Sequence, residues 1–129
     1  METRKASRIG INLTVHSKIP SEHKQKFALI SGMNFDAQVV DISTLGIGMF
    51  SKYFLPKGLI LELSMEGQYF GISEDITVKA EVRHCTFIKG RGYRSGMQFL
   101  NLSDKDKKVI TEFINTYERR KEPRLKLTE

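Results

Sequence analysis

The segment "INLTVH", Ile11 to His16, decides the fold class, because apolar and polar side chains alternate along its whole length. A period of two places successive side chains on opposite faces of a strand, so that one face is buried and the other meets solvent. Five further segments are rich in β-branched and aromatic residues and are separated by Gly, Pro or Asp. They are "FDAQVVDIS" (35–43), "IGMFSKY" (47–53), "LILELSM" (59–65), "ITVKAEVRHCTFI" (76–88) and "YRSGMQFL" (93–100). Six strands at hairpin spacing predict an antiparallel barrel or sandwich.

One amphipathic helix is predicted after the strands, over residues 104–120. Ser103, with Asp106 three residues later, is similar to a capping box, and five apolar residues then recur at helical spacing. These residues are Val109, Ile110, Phe113, Ile114 and Tyr117. We favour the interpretation that this stripe belongs to the core and closes one end of the barrel, although a homodimer or partner surface would show the same pattern. The predicted architecture is all-β dominated, with a C-terminal helix and a basic tail at residues 121–129.

The composition is ordinary for a single globular domain. Of the 129 residues 40% are hydrophobic and 28% are charged, and no apolar run approaches the roughly 20 residues of a membrane span. The N-terminus lacks the apolar region of a secretory signal, so we expect a cytoplasmic protein. Of the net charge of +6, residues 1–8 contribute +2 and residues 118–129 contribute +2. An anionic partner is therefore expected near a terminus.

The sequence contains no constellation typical of an enzyme. Cys85, the only cysteine, follows His84, but neighbouring residues of a strand point to opposite faces and cannot act together as nucleophile and base. Four acidic residues lie in mixed-charge surroundings near turns, where solvated carboxylates are expected. They are Glu62, Glu66, Glu74 and Asp75. Three scattered histidines and one cysteine make a structural zinc site improbable. We expect a binding protein that has no catalytic residue, metal or cofactor.

Two short motifs carry side chains suited to a guanine nucleotide. In "RKASR", Arg4 and Arg8 are four residues apart, and their guanidinium groups match phosphate oxygens and the O6/N7 edge of guanine. In "DISTLG", Asp41 can accept hydrogen bonds from guanine N–H groups, Ser43 can bond a base edge or phosphate, and Gly46 leaves room for a base. The alternative is a solvated basic start and a structural loop in which Asp41 caps its own backbone. The residue chemistry alone does not separate these interpretations.

The order of these motifs resembles that of the PilZ domain family. It consists of Arg-x-x-x-Arg, a strand "IGINLTV", Asp-x-Ser-x-x-Gly, and a late "GYRSGMQFLNLS" before a helix, over Arg4 to about Tyr117. The family binds the bacterial second messenger cyclic di-GMP on a six-stranded β-barrel. The resemblance implies one domain over residues 1–120, in which a flexible segment, residues 1–9, orders around the ligand and signals to a protein partner. It implies a ligand site made of Arg4, Arg8, Asp41, Ser43 and Gly46. Motility, secretion and polysaccharide control are the outputs that the resemblance suggests.

Two segments depart from the family pattern. The polar insert "SKIPSEHKQK" (17–26) lengthens the connection between Arg8 and Asp41, either as a partner-binding loop or as a tolerated insertion. In the tail, Arg120 and Arg124 repeat the four-residue spacing, with Arg119 beside them. We favour a solvated basic end for this tail. The alternatives are a site for a second ligand or for the ligand of a neighbouring subunit, and a permuted site in which Arg4 and Arg8 are secondary.

Two functions of other classes fit parts of the sequence. A small basic barrel could bind single-stranded nucleic acid by stacking bases on exposed aromatic rings. The candidate rings are Tyr53, Tyr69, Phe70 and Tyr93. A domain of this family that has lost its ligand could instead act as an adaptor through its helix. Intact arginine and Asp-x-Ser-x-x-Gly motifs argue against the adaptor.

Overall fold

The chain folds into a six-stranded barrel followed by one long helix. The structure is a computed structural model that describes residues 8–20 and 34–127, and side chains as far as Glu118. The strands are β1 (Ile9–Lys18), β2 (Asn34–Ile42), β3 (Gly46–Ser51), β4 (Ile60–Met65), β5 (Ile76–Ile88) and β6 (Gly92–Phe99). A short 3₁₀ helix (Gly67–Phe70) connects β4 to β5, and helix α1 (Asp104–Leu127) follows β6.

The sheet is closed, with the strand order β1-β2-β3-β6-β5-β4 and antiparallel pairing between all neighbours. Two pairings join strands that are not consecutive: β3 pairs with β6, and β1 pairs with β4 to close the ring. Closure satisfies the backbone groups that an open sheet would leave unpaired at its edges. The predicted six-stranded antiparallel barrel is therefore confirmed, and the sandwich alternative is excluded.

The barrel interior is filled by the inward-facing residues of the strands. In β4, Leu61, Leu63 and Met65 are fully buried and alternate with partly exposed residues, as the period of two predicts. The connection from β3 to β4 adds Leu55 and Leu59 to the same core. Apolar residues that share one face of each strand thus supply most of the buried surface that stabilises the domain.

Helix α1 begins as the sequence predicts, because Ser103 Oγ accepts a hydrogen bond from the Asp106 backbone N–H at 3.1 Å. Ile110 and Ile114 are buried in the barrel core, which confirms the core interpretation of the apolar stripe. The helix is longer than predicted and ends at Leu127 rather than at residue 120, so most of the segment expected as a tail has a helical backbone. No helix in the described part of the chain is long and apolar enough to cross a membrane.

His84 and Cys85 have separate structural roles. His84 is exposed on the outer wall, whereas Cys85 packs against the core. The Cys85 Sγ atom lies 3.4 Å from the Leu55 backbone N and 3.3 Å from Ser95 Oγ, both of which donate to it. Cys85 therefore helps to fix the β3–β4 connection against β5, which agrees with its prediction as a core residue.

Candidate functional site

The "DISTLG" motif forms the turn between β2 and β3. The Ser43 backbone N–H donates to the Gly46 carbonyl oxygen at 2.9 Å, and the buried Ser43 hydroxyl accepts from the Leu45 backbone N–H at 3.1 Å. The serine thus takes the place of a backbone acceptor inside a tight turn. Part of the polarity of this motif is therefore explained by the turn itself.

A bulge in β2 determines where Asp41 points. Val39 pairs with Met49 of β3, and Asp41 pairs with Gly48, the next residue along, so β2 has one extra residue at Val40. An extra residue reverses the face on which the following side chains lie. Asp41 consequently faces the outer wall of the barrel, while Ile42 remains fully buried.

Two arginines bind the Asp41 carboxylate from different parts of the chain. Arg8, just before β1, donates from Nη1 to Oδ1, and Arg94 of β6 donates from Nη2 to Oδ2. Arg8 Nη2 also lies 3.4 Å from Ser43 Oγ. The Asp41 side chain is only 15% exposed, whereas both arginines are about one-third exposed. Two guanidinium charges against one carboxylate leave this cluster with a surplus positive charge at the surface, which favours an anionic ligand.

Two glycines leave the outer wall beside Asp41 without protruding side chains. Asp41, Gly48, Gly96 and His84 pair in one row across β2, β3, β6 and β5. A Cβ atom at Gly48 would lie 2.8 Å from Arg94 Nη2 and from both Asp41 carboxylate oxygens, and one at Gly96 would lie 2.2 Å from His84 Nε2. The absence of side chains at the two glycines therefore allows Arg94 and His84 to lie flat on the wall.

Gly46 has a different structural explanation. A Cβ atom there would lie 1.9 Å from the Met97 carbonyl oxygen, so any side chain would collide with the backbone of β6. From the sequence, Gly46 was expected to leave room for a base. The structure explains it by the close approach of β3 to β6, and its contact with a ligand stays a prediction.

The structure brings together Arg8, Asp41 and Ser43 of the predicted site. Arg4 lies outside the described residues, so its role stays a prediction. The alternative in which Asp41 caps its own backbone is wrong, because both oxygens of the Asp41 carboxylate accept hydrogen bonds from arginines. Arg119, Arg120 and Arg124 lie on the backbone of α1, but their side chains are outside the described part, so the interpretations of the tail stay open.

Sequence reasoning missed Arg94. This residue lies within the quoted segment "GYRSGMQFLNLS", on a predicted strand and two residues before Gly96. Its outward direction could have been derived from the alternation of β6, but its partner could not. Arg94 reaches Asp41 only because β6 pairs with β3, and this pairing joins segments more than 40 residues apart.

An open cleft of about 740 Å³ lies on the outer wall next to this site. Gln38 of β2, Phe50 of β3 and Arg94 of β6 pair side by side, so the cleft begins one row of residues away from Asp41. The Arg91 guanidinium carbon lies 4.1 Å from the centroid of the Phe50 ring, a cation–π contact at the cleft. An outward-facing ring and several amide groups thus border the charged cluster.

At the far end of this cleft, His16 of β1 lies across from Asp36 of β2. His16 Nδ1 is 2.6 Å from Asp36 Oδ1, and His16 Nε2 is 3.7 Å from Glu66 Oε2. The hydrogen bond to Asp36 raises the pKa of His16 above its ordinary value of 6.5. In the described residues, no group of three or more His, Cys, Asp or Glu has a geometry that could hold a metal ion.

The four rings considered for nucleic-acid stacking do not form one platform. Tyr53 follows the end of β3 and Tyr93 pairs with Ser51 there, whereas Tyr69 and Phe70 follow the end of β4, at the opposite end of the barrel. Phe70 also packs against Phe113 of α1, with ring centroids 5.0 Å apart. A strand of bases could not stack on all four rings in succession.

Comparisons with known proteins support this description. A family model described as "PilZ domain" matches residues 2–116. The comparison with curated proteins gave no match. Among solved structures, the inhibitor of motility MotI/DgrA from Bacillus subtilis is similar, with a TM-score of 0.76 and 15% identity over 95% of this chain and 54% of that chain.

Two further structures are those of nucleotide complexes. The PilZ domain of YcgR from Escherichia coli, with c-di-GMP, has a TM-score of 0.66 and 15% identity over 97% of this chain and 98% of that chain. The MrkH–c-di-GMP complex from K. pneumonia has a TM-score of 0.68 and 18% identity over 96% of this chain and 56% of that chain. The chain thus spans about half the length of MotI and MrkH, and at these identities the likeness concerns the fold alone.

Proposed function

Because the chain belongs to the PilZ domain family, we propose that it is a receptor for cyclic di-GMP rather than an enzyme. The ligand binds on the outer wall of the barrel at Arg8, Asp41 and Ser43, with Arg4 contributing from the N-terminal segment. Two structurally similar proteins, YcgR and MrkH, are described as complexes with this dinucleotide, which supports the choice of ligand.

The observation that carries the proposal is the contact between the two motifs. Arg8 and Asp41 are 33 residues apart in the sequence, yet Arg8 donates directly to the Asp41 carboxylate and approaches Ser43. If the basic N-terminal segment were simply solvated, Arg8 would not be expected to pair with a carboxylate that is largely buried. One arginine fork, one carboxylate and one hydroxyl are therefore available side by side for the acceptor and donor edges of a guanine nucleotide.

Binding involves an exchange of partners at Asp41. In the described state two guanidinium groups satisfy the carboxylate. When the dinucleotide arrives, guanine N–H groups donate to Asp41, and the released guanidinium groups donate to phosphate oxygens and to guanine O6 and N7. The surplus positive charge of the cluster and that of Arg4 together offset the two negative charges of the ligand. No covalent chemistry is required.

The output is a change in the N-terminal segment that a protein partner reads. Arg8 already contacts Asp41 and Ile9 is buried at the start of β1, so we expect the ligand to order the residues before Arg8 as Arg4 closes on it, at the cost of part of the binding free energy. A cytoplasmic protein partner is the expected reader of the ordered segment. The description of MotI as an inhibitor of motility makes motility one candidate process, beside secretion and polysaccharide control.

Calorimetric titration with cyclic di-GMP tests the proposal. We expect saturable binding to the full chain, weaker binding to cyclic di-AMP, and a loss of roughly tenfold or more in affinity for Arg8→Ala and Asp41→Ala, because each removes one set of charge-assisted hydrogen bonds. Arg83→Ala is the matched control, since Arg83 is exposed on β5 and pairs with Glu81 at 3.4 Å, away from Asp41.

An additional variant, Arg124→Ala, examines the tail. Unchanged affinity would support the solvated tail, whereas a loss equal to that of Arg8→Ala would favour a site that includes the tail. An absence of heat together with no ligand-induced increase in Tm at high excess of cyclic di-GMP would overturn the receptor proposal and leave the adaptor.

A further inference from the structure

Exposed aromatic rings lie together at the end of the barrel where β3 ends and β6 begins. Phe54 is 57% exposed and Phe87 is 60% exposed, and both contact the half-buried Tyr93. Phe87 and Tyr93 pair across the β5–β6 hairpin, and Phe54 comes from the β3–β4 connection. Three large side chains from three segments thus form one apolar surface. Polar residues would be the usual choice at such exposed positions.

This surface is held in place by the core beneath it. The ring centroids of Phe54 and Tyr93 are 5.9 Å apart, and those of Phe87 and Tyr93 are 5.3 Å apart, both in edge-to-face geometry. Leu55, directly after Phe54, is fully buried, and Cys85 accepts from its backbone N–H. The rings are therefore exposed on an ordered framework, which reduces the entropy that a partner must remove on binding.

Three exposed cations lie close in sequence to the rings. Lys52, Lys89 and Arg91 are exposed in the segments that carry the aromatic residues. Gly92 lies close to the backbone of Ser51, since a Cβ atom at Gly92 would be only 2.6 Å from the Ser51 carbonyl oxygen. The β5–β6 turn is therefore beside the end of β3. The sequence contains no Asp or Glu at residues 42–61 or at residues 82–103. We call the rings of Phe54, Phe87 and Tyr93 with these three cations the aromatic–basic patch.

Among the residues that the structure describes, one carboxylate borders the cleft next to this region. Asp36 borders the cleft that also includes Lys52 and Arg91, but it is hydrogen-bonded to His16 at 2.6 Å. The aromatic–basic patch consequently combines exposed rings with cations of the same segments, of which Arg91 stacks on Phe50 and, with Lys52, borders the neighbouring cleft. Aromatic anchors accompanied by polar residues that fix orientation are usual in protein interfaces.

We propose that the aromatic–basic patch is a docking surface for an acidic segment of a protein partner, whose apolar side chains pack on Phe54, Phe87 and Tyr93 while its carboxylates pair with Lys52, Lys89 and Arg91. Nucleic acid fits less well, because rings packed edge-to-face do not offer a series of parallel faces for bases. The inference does not depend on the proposed nucleotide site, which lies around Asp41.

The test uses a fluorescein-labelled peptide of alternating Glu and Leu with one central Phe, titrated into the full chain and followed by anisotropy. A peptide in which Lys replaces every Glu is the matched probe. We expect the acidic peptide to bind, with amide chemical-shift changes that cluster at Phe54, Phe87 and Tyr93, and we expect binding to weaken as salt rises because the charges of the patch are screened. The Lys peptide should not bind.

Variants separate the patch from general attraction to a basic protein. Phe87→Ser and Arg91→Glu should each weaken acidic-peptide binding roughly tenfold, as expected of interface anchors. Tyr69→Ser and Lys108→Glu make the same chemical changes at exposed positions outside the patch and should alter binding by less than about twofold. Circular dichroism verifies that all four variants are folded.

Three results would overturn the inference. The first is equal weakening by the patch and control variants, which would indicate net charge alone. The second is an absence of shift changes at the patch when the acidic peptide is in excess. The third is patch-dependent binding of an oligothymidine strand or of phosphatidylglycerol vesicles without binding of the acidic peptide, which would assign the patch to nucleic acid or to a membrane surface.

Discussion

Two glycines of β3, only two residues apart, should differ strongly in how much stability the same substitution removes. Gly46 and Gly48 both have ordinary negative φ angles, so alanine introduces no backbone strain at either position. At Gly46 the new Cβ atom would lie 1.9 Å from the Met97 carbonyl oxygen, which belongs to the backbone of β6. At Gly48 the atoms that it would meet, at 2.8 Å, are the ends of the flexible Asp41 and Arg94 side chains.

The expected magnitudes follow from what has to move. For Gly46→Ala, β3 must separate from β6 by about 1 Å to reach the 3.0 Å that Cβ contacts require. This movement disturbs the hydrogen bond from the Phe99 N–H to the Leu45 carbonyl at 2.8 Å. Overpacking and one weakened hydrogen bond together should lower the free energy of unfolding by about 2 to 4 kcal/mol.

For Gly48→Ala, the lower entropy of the unfolded chain stabilises the protein by about 0.4 to 1 kcal/mol. Displacing Asp41 from Arg94 offsets this gain, because the flexible ends of both side chains can shift while Arg8 still pairs with the carboxylate, so the free energy of unfolding should change by less than about 1 kcal/mol. The substitution should nevertheless weaken cyclic di-GMP binding, because the carboxylate is moved from its position between the two arginines.

Urea denaturation followed by circular dichroism measures both effects. With an m-value of about 2 kcal/mol/M, the midpoint should fall by roughly 1 to 2 M for Gly46→Ala and by less than about 0.5 M for Gly48→Ala. Equal midpoints for the two variants would refute the reasoning, as would a large loss of stability for Gly48→Ala with no loss for Gly46→Ala.

Two further predictions concern the core and the outer wall. Ile110→Ala should lower the free energy of unfolding by about 2 to 5 kcal/mol in urea denaturation, since it empties a fully buried position, and a change under about 1 kcal/mol would contradict the placement of α1 on the core. The hydrogen bond to Asp36 raises the pKa of His16, so its stabilisation is fully present below about pH 6.5 and is lost as the pH rises through the higher folded value. Unfolding measured between about pH 5 and pH 9 should show this loss, of less than about 1 kcal/mol for so exposed a pair, and Asp36→Asn should remove most of it, because Glu66 still lies near His16; an unchanged pH dependence in that variant would be inconsistent with the assignment.

Strand positions were predictable from the sequence because they depend on local alternation. From Leu61 onward the segment "LILELSM" alternates apolar and polar residues, and Leu61, Leu63 and Met65 face the interior as predicted. The start of α1 was equally local, since Ser103 and Asp106 carry the signal within one turn. The predicted end of α1 at residue 120 was wrong, because the helix continues to Leu127. Residues 121–127 combine strong helix-forming residues with Pro123 and many charges, and no apolar periodicity in the sequence marks where the helix ends.

The site was only partly predictable because its geometry depends on a bulge and on distant pairing. Plain alternation in "FDAQVVDIS" places Asp41 on the same face as Val39, which is fully buried. The extra residue at Val40 is what turns the carboxylate outward, and it is evident only from the register between β2 and β3. Arg94 joins the site through the pairing of β3 with β6, for which the sequence contains no local signal.

The central claim is that Arg8 and Asp41 belong to one cyclic di-GMP site, and a double-mutant cycle tests it most directly. Affinity is measured by calorimetry for the wild type, Arg8→Ala, Asp41→Ala and the double variant, with urea denaturation to verify the fold. Because the two side chains contact each other, the account predicts a non-additive cycle with a coupling free energy of about 0.5 to 3 kcal/mol. Strictly additive losses, or full affinity in the double variant, would contradict it.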